Sequence, residues 1–220
     1  MPATSVRPAL TRASLLQGVS VLAARDRRFA RIVDDYGPPP LLARPQGFAT
    51  LTRIILEQQV SLASAAALYR KFELRFDGMP TAERVANEGE PALLAVGFTR
   101  QKARYVVGLA TQLADGRVSL RKIARLPDAE AAAALLEIHG VGPWTAGVYL
   151  LMALRRPDVW PPGDLGLHKS MVEVGQLSQV PSSDEAAEFA RRWRPWRAVA
   201  ARLLWHSYLG RRIRQPRRHA

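Results

Sequence analysis

Hydrophobic positions in this chain recur at the three- and four-residue spacing of helices, and alternating strand patterns are nearly absent. Leu51, Ile54 and Ile55 fall on one helical face in the segment that begins at Phe48. A second strong pattern, LPDAEAAAALLEI, has a run of alanines and a candidate N-cap in Asp128. The pattern therefore predicts an all-α fold.

Proline and glycine divide these helices and suggest how the chain is organised. The stretch YGPPP cannot continue a helix, DGMPT breaks the chain again, and Pro195 interrupts the last helix. We expect a flexible tail at 1–14, a helical domain at 15–210 and a basic tail at 211–220. Within the domain, residues from about 50 to 160 are predicted to form one lobe. The N- and C-terminal helices are predicted to pack together as the other lobe.

The charge balance indicates the class of partner. The chain has 32 Lys and Arg against 19 Asp and Glu, a net charge of +13. Such an excess favours a polyanion, and nucleic acid is the commonest one. A membrane surface would require a basic amphipathic helix or a lipidation signal, and neither is present. No apolar run reaches the ~20 residues of a membrane helix, and the N-terminus lacks the apolar region of a secretion signal.

Cysteine and histidine usage limits the chemistry. With no cysteine, the chain has no disulfide, Cys nucleophile or cysteine-ligated iron–sulfur cluster. The four histidines lack metal-ligand spacing, so we expect no metal site built from side chains. These histidines are His139, His168, His206 and His219.

The stretch HGVGPWTAGV joins two predicted helices through a tight turn. Gly140 and Gly142 permit positive φ angles, and Pro143 suits the first position of a helix. The N–H groups of such a turn can cradle an anion, for example a DNA phosphate. The motif alone is equally compatible with a plain helix–helix connection, but the net charge favours DNA.

Several segments together resemble the helix–hairpin–helix DNA glycosylases of the HhH-GPD superfamily. Within it they are most similar to the alkylation-repair branch, 3-methyladenine DNA glycosylase II (AlkA-like). The resemblance spans Phe48 to Tyr208 and implies a two-lobed helical fold with the DNA and base cleft between the lobes. The segments that carry it are LLEIHGVGPWTAGVYLLMALRRPDVWPPGDLGLHKS, ILEQQVSLASAAAL, GFTRQKA and WRPWRAVAARLLWH.

The resemblance implies a monofunctional enzyme that flips and excises alkylated bases of the 3-methyladenine and 7-methylguanine type from duplex DNA. Asp164 matches the essential aspartate of the family. From the residues alone, Asp164 is either a plain N-cap or a carboxylate that stabilises a sugar cation, and the hairpin upstream favours catalysis. Bifunctional relatives have a lysine nucleophile at the position of Trp144, so no lyase activity is expected.

The resemblance also assigns residues to the base and to the DNA. Trp144 and Trp205 would hold the flipped base. A core anchor of its helix is a serious alternative for Trp144, and a core position fits Trp205 at least as well. Gln59 would fill the gap left by the base, or Gln58 and Gln59 form a solvated face. Lys169 and Arg197 would touch phosphate or pair with an acid. The remaining DNA contacts are assigned to His139, Gly140, Val141, Gly142 and Thr145.

The chain departs from the branch pattern where aromatic residues are common. Val148, Leu165 and His206 occupy those positions, which predicts a less aromatic and more open base pocket. This departure concerns the substrate range rather than the reaction type.

Two rival functions remain open: a glycosylase for deaminated or oxidised bases, and a non-catalytic protein that binds bent or damaged DNA. Asp164 argues against a pure binder, and no RNA-reading aromatic sheet is evident. No cofactor is expected, although the resemblance allows a monovalent cation at the hairpin carbonyls. We expect a monomer that acts on double-stranded DNA, in the cytoplasm and nucleoid of a bacterium or the nucleus of a eukaryote, and that is not secreted.

Overall fold

The computed structural model describes residues 8–214, and this part of the chain is helical without any β-strand. The predicted all-α class is therefore confirmed. None of the described helices is both long and apolar enough to cross a membrane. The helices are α1 (Arg12–Arg25), α2 (Arg27–Tyr36), α3 (Phe48–Glu57), α4 (Leu62–Arg75), α5 (Ala82–Val96), α6 (Arg100–Ala114), α7 (Leu120–Ile123), α8 (Asp128–Leu136), α9 (Pro143–Met152), α10 (Leu165–Glu173), α11 (Ser183–Ala190) and α12 (Arg197–Arg214), with a 3₁₀ turn at Arg191–Trp193.

Short polar side chains begin most of these helices. Each accepts a hydrogen bond from a backbone N–H of the first turn, which has no acceptor within the helix. Asp128, predicted to be such a cap, is instead the first residue of α8, after Pro127. At that position its carboxylate still interacts favourably with the positive end of the helix dipole. The capping residues are Thr11, Asp26, Ser61, Thr81, Thr99, Ser119, Asp164 and Ser182.

The chain divides into two compact units. Unit 1 contains residues 44–154, with α3 to α9, and unit 2 combines residues 8–43 with residues 155–214. The boundaries lie within a few residues of the range from about 50 to 160 that the sequence suggested. Residues 1–7 and 215–220, which include much of the predicted tails, lie outside the described residues.

Both predicted tails extend into residues that are helical in the structure. Helix α1 begins at Arg12, inside the range 1–14, because Thr11 and Ser14 form a capping box that starts the helix there. Helix α12 continues to Arg214, inside the range 211–220.

Helix α3 organises unit 1, since it contacts α4, α6 and α9. Its apolar face is fully buried, as Leu51, Ile54, Ile55 and Leu56 show. Burial of such side chains contributes about 1.5–3 kcal/mol each. The packing of α9 on α3 fixes the hairpin that precedes α9 relative to the end of α3.

Helix α12 organises unit 2 through contacts with α1, α2 and α10. Arg202 is fully buried on α12, where burial lowers the pKa of its guanidinium to about 10. It donates hydrogen bonds to the carbonyls of Leu41 at 2.7 Å and Ala198 at 2.9 Å. The bond to Leu41 anchors the chain just after the proline-rich stretch.

Candidate functional site

The two glycines of the hairpin differ in whether the fold requires a glycine there. Gly140 has φ +88°, and a Cβ there would overlap the ring of Tyr105. Gly142 has φ −90°, which any residue adopts, and a Cβ there would meet nothing within 4 Å. Of these two glycines, which both permit a positive φ, only Gly140 adopts one. The fold demands a glycine only at the first position.

The hairpin leads directly into helix α9. Gly142 is its N-cap and supplies no capping side chain, and Pro143 is its first residue, as predicted. The Val141 N–H donates to the Ile138 carbonyl at 2.9 Å, which closes the turn. The first-turn N–H groups of a helix have no acceptor within the helix and carry its positive dipole end. This geometry suits an anion such as a phosphate.

Gln58 ties the hairpin to the end of α3. Its side-chain Nε2 donates to the Gly140 carbonyl at 2.9 Å and to Thr145 Oγ1 at 2.9 Å. The interpretation of Gln58 as part of a solvated face is therefore wrong. This role is not visible in the sequence, because the two partners lie 82 and 87 residues further along the chain.

The corner after α3 is closed by Lys102, from the GFTRQKA segment. Its Nζ donates to the carbonyls of Leu56 at 2.7 Å and Gln58 at 2.9 Å, so an ammonium caps the end of the helix. Burial lowers the pKa of Lys102. Gln59, which follows Gln58 in the chain, is exposed and has a left-handed φ of +57°. The corner thus turns at Gln59 and presents its side chain to solvent.

The other hairpin side chains differ sharply in exposure. His139 is exposed and lies edge-on to Tyr105, with ring centroids 4.9 Å apart, and Trp144 is half-buried. Thr145 (1% exposed) and Val148 (2% exposed) are buried in unit 1. Direct side-chain contact with DNA or a base, expected for these two residues, is therefore corrected to a packing role.

Val141 is also buried, so its side chain packs inside unit 1 rather than touching DNA as predicted. Its backbone remains part of the turn. The hairpin therefore consists of a packed apolar underside and an outer surface made by glycine backbone, His139 and Pro143.

In unit 2, Asp164 opens helix α10 as the sequence predicted. Its Oδ1 accepts hydrogen bonds from the Leu167 N–H at 2.9 Å and from Trp205 Nε1 at 3.1 Å. The carboxylate is half-buried. Two donors therefore hold this oxygen at the positive end of α10. An ionised carboxylate in a fixed orientation can stabilise a developing positive charge.

The other predicted site residues of unit 2 lie on α10 and α12. Leu165 is 66% exposed and Lys169 is exposed. His206 is half-buried on α12, where its Nε2 lies 3.0 Å from the Tyr36 carbonyl. Of the two interpretations of Arg197, the structure shows the acid pair, since its Nε lies 2.9 Å from Asp158 Oδ1.

His168 lies one turn after Asp164 on α10 and is 3% exposed. Its ring bonds to the Pro181 carbonyl, while Nε2 has no hydrogen-bond partner within the described residues. Burial lowers the pKa of His168, and the charge of Asp164 opposes that shift. A neutral imidazole is therefore favoured beside the Asp164 carboxylate.

Candidate metal ligands are few in the described part of the chain. No group of three His, Asp or Glu side chains between residues 8 and 214 could hold a metal ion. At the hairpin, the Ile138 and Gly140 carbonyls each accept one hydrogen bond. A carbonyl oxygen has two lone pairs, so both retain capacity for a monovalent cation.

Comparison with known proteins places this geometry in context. A family model described as HhH-GPD superfamily base excision DNA repair protein matches residues 52–195. A Bacillus subtilis (strain 168) protein named DNA-3-methyladenine glycosylase is 31% identical over 172 residues, which cover 73% of this chain and 57% of that protein. The chain spans about three fifths of the length of the curated relatives it first matches.

Two solved structures have the same fold. The Schizosaccharomyces pombe 3-methyladenine DNA glycosylase Mag1 in complex with abasic DNA has a TM-score of 0.74 at 23% identity, over 86% of this chain and 95% of that chain. A Clostridium acetobutylicum 8-oxoguanine glycosylase/lyase in complex with duplex DNA also has a TM-score of 0.74, at 18% identity, over 89% of this chain and 70% of that chain. At such identities the likeness establishes the fold alone.

The matched residues run from within α3, through the corner at Gln58 and the hairpin, to just beyond the 3₁₀ turn. They include Gly140, Gly142 and Asp164, and they make up more than half of the chain. The chain therefore belongs to the HhH-GPD superfamily of base excision DNA repair proteins.

Proposed function

We propose that this chain is a monofunctional DNA glycosylase that removes alkylated bases from duplex DNA. The observation that carries the proposal is the Asp164 carboxylate, half-buried at the start of α10 and held by two hydrogen bonds to one oxygen. A carboxylate in a fixed orientation is the group that hydrolysis of an N-glycosidic bond requires. The 31% identity to a protein named DNA-3-methyladenine glycosylase favours alkylated bases.

The reaction needs one carboxylate and one water. The base leaves with the electron pair of the broken C–N bond, and the water oxygen bonds to C1′ of the sugar. Asp164 stabilises the positive charge that develops on the sugar and accepts a proton of the water. A cationic alkylated purine departs as a neutral base, so protonation by a second side chain is unnecessary.

Unit 1 supplies the DNA-binding part of the proposal. The backbone of Gly140 and Gly142 receives a phosphate, and Gln59 enters the gap left by the flipped base. Trp144 stacks on the extruded base, and its indole face favours a cationic ring. Leu165, Lys169 and His206 in unit 2 would contact the base or its flanking backbone.

Trp144 also implies a reaction without strand cleavage. An indole cannot form the Schiff base through which a lysine attacks the sugar. Borohydride reduction of the enzyme with substrate duplex should therefore yield no covalent adduct. An adduct, together with nicked DNA, would instead assign the chain to the bifunctional glycosylases.

The first test is release of free base from methylated duplex DNA by the wild type and by Asp164→Asn, with DNA binding measured in parallel. We expect release by the wild type and loss of release, with binding retained, in Asp164→Asn. Release from deaminated or oxidised duplexes alone would support the rival lesion class. Binding without release from any duplex would identify a damage-binding protein.

A further inference from the structure

Two hydrogen bonds to the Asp164 side chain fall on the same oxygen. The Leu167 N–H donates to Oδ1 at 2.9 Å, and the indole N–H of Trp205 donates to it at 3.1 Å. The first donor belongs to α10 and the second to α12, so two helices hold the carboxylate. Every N-capping aspartate has a backbone donor of the first kind, whereas the indole donor is particular to this site.

The position of Trp205 is itself fixed against α10. The hydroxyl of Ser170 donates to the carbonyl of Leu204 at 2.8 Å, and both residues are fully buried. This bond ties the residue before Trp205 to the helix that Asp164 begins. The indole N–H is therefore presented to Oδ1 by a rigid junction between α10 and α12.

Gly166 leaves room for the same oxygen. A Cβ at this position would lie 3.1 Å from Asp164 Oδ1 and 3.6 Å from the Tyr208 ring. Gly166 is a helical residue of α10 without positive φ, so its backbone does not require glycine. The close neighbour of the missing side chain is the carboxylate, which two hydrogen bonds prevent from moving aside.

We propose that Trp205 and Gly166 are positioning residues that fix the rotation of the Asp164 carboxylate, and that Trp205 acts through its N–H rather than as a stacking wall for the base. This proposal rests on the proposed glycosylase activity. Rotation about the last side-chain bond of aspartate is soft, so two donors on Oδ1 decide where Oδ2 points. Misplacement of a catalytic group by about 1 Å can cost about 10²-fold in rate.

The first variant is Trp205→Phe, which keeps an aromatic ring and removes the donor. We expect the single-turnover rate of base release to fall about 10- to 100-fold, while affinity for duplex containing an uncleavable abasic analogue stays unchanged. The loss should be equal for cationic and neutral lesions, since the sugar carboxylate serves both. A wild-type rate, or a loss confined to cationic bases, would overturn the proposal in favour of stacking.

The second variant is Gly166→Ala, which crowds the carboxylate and otherwise brings only an ordinary van der Waals contact with the Tyr208 ring. Its matched control is Gly108→Ala in α6, where a Cβ meets nothing within 4 Å. Alanine favours a helix over glycine by up to about 1 kcal/mol, so Gly108→Ala should unfold in urea no more easily than the wild type, and the same gain offsets part of the crowding in Gly166→Ala. We expect base release to slow at least tenfold in Gly166→Ala only.

The outcomes separate the proposed function from the positioning proposal. Equal rates for Gly166→Ala, Gly108→Ala and the wild type would overturn the positioning role and leave the glycosylase intact. A wild type that binds duplex and releases no base from methylated, deaminated or oxidised DNA would overturn both.

Discussion

The side-chain amide of Gln58 donates to the Gly140 carbonyl at 2.9 Å and joins two segments that lie 82 residues apart. The same nitrogen donates to Thr145 Oγ1, so it holds the hairpin on both sides of Gly142. Lys102, on α6, donates a hydrogen bond to the backbone carbonyl of Gln58 at 2.9 Å. The hairpin and the corner that presents Gln59 therefore form one braced element within unit 1. In the proposed function, this element would couple binding of the DNA backbone to insertion of Gln59 into the base stack.

Gln58→Ala tests this brace, and its neighbour provides the control. Removal of the amide leaves the Gly140 carbonyl and the Thr145 hydroxyl without their donor, which should lower the free energy of unfolding by about 1–3 kcal/mol. Gln59→Ala removes an exposed side chain and should change the free energy of unfolding by less than about 0.5 kcal/mol. Urea unfolding measures both, and equal values would contradict the brace.

Base release by Gln59→Ala tests the proposed role of the Gln59 side chain in the DNA. Gln59→Ala should slow base release while its fold stays intact. The side chain that would fill the gap left by the flipped base is lost, whereas the hairpin is unchanged. If Gln59→Ala releases base at the wild-type rate, Gln59 belongs to a solvated surface, as the alternative interpretation of the sequence allowed.

The sequence predicts best those structural features that depend on residues close together in the chain. Helix periodicity, Pro143 at the start of α9 and the Asp164 cap each depend on residues within one or two turns. Gln58 and Lys102 were missed because their partners are 44 to 87 residues away. The burial of Thr145 and Val148 was missed because α9 packs on α3, which its own pattern does not show.

DNA binding should depend steeply on salt if the hairpin and exposed basic side chains contact phosphates. With ~6 phosphates neutralised, log K for undamaged duplex should fall against log salt with a slope of about −5. Titrations of a labelled duplex at several sodium chloride concentrations give the slope. An affinity that does not respond to salt would contradict a grip on the DNA backbone.

Trp144→Ala distinguishes a stacking residue from a packing residue. Trp144 is half-buried at the second position of α9, beside the turn. Loss of stacking on the extruded base should reduce base release by more than duplex affinity, because undamaged DNA keeps its bases stacked. Single-turnover rates and binding titrations supply the two numbers. Equal losses in both would assign Trp144 to the packing of α9.

His168 should make stability fall in mildly acidic solution. Burial lowers its pKa in the folded state, whereas the unfolded chain has the ordinary value of about 6.5. Below that pH the unfolded state binds a proton that the native state does not, so the free energy of unfolding decreases as pH falls towards the folded pKa. One proton limits the slope to about 1.4 kcal/mol per pH unit.

His168→Asn keeps a polar side chain and removes the titration. Urea unfolding of wild type and variant between pH 7.5 and about 4.5 should show a smaller pH dependence in the variant below pH 6.5. Parallel curves, displaced only by a constant, would show that His168 does not take up a proton differently in the two states.

Gly142→Ala and Gly140→Ala separate the demands of DNA from those of the fold. At Gly140 an added Cβ would overlap Tyr105 and force a residue with a side chain to φ +88°, so the variant should unfold several kcal/mol more easily or fail to fold. At Gly142 the backbone tolerates any residue and the space is open, so Gly142→Ala should lose at most about 1 kcal/mol of stability, because alanine is less favoured than glycine at an N-cap. Its affinity for duplex DNA should nevertheless fall, because the methyl group lies where a phosphate would approach the N–H groups of the turn. Thermal unfolding and duplex titration of both variants check the pair. A Gly142→Ala protein that binds DNA like the wild type would place the phosphate contact elsewhere than this turn.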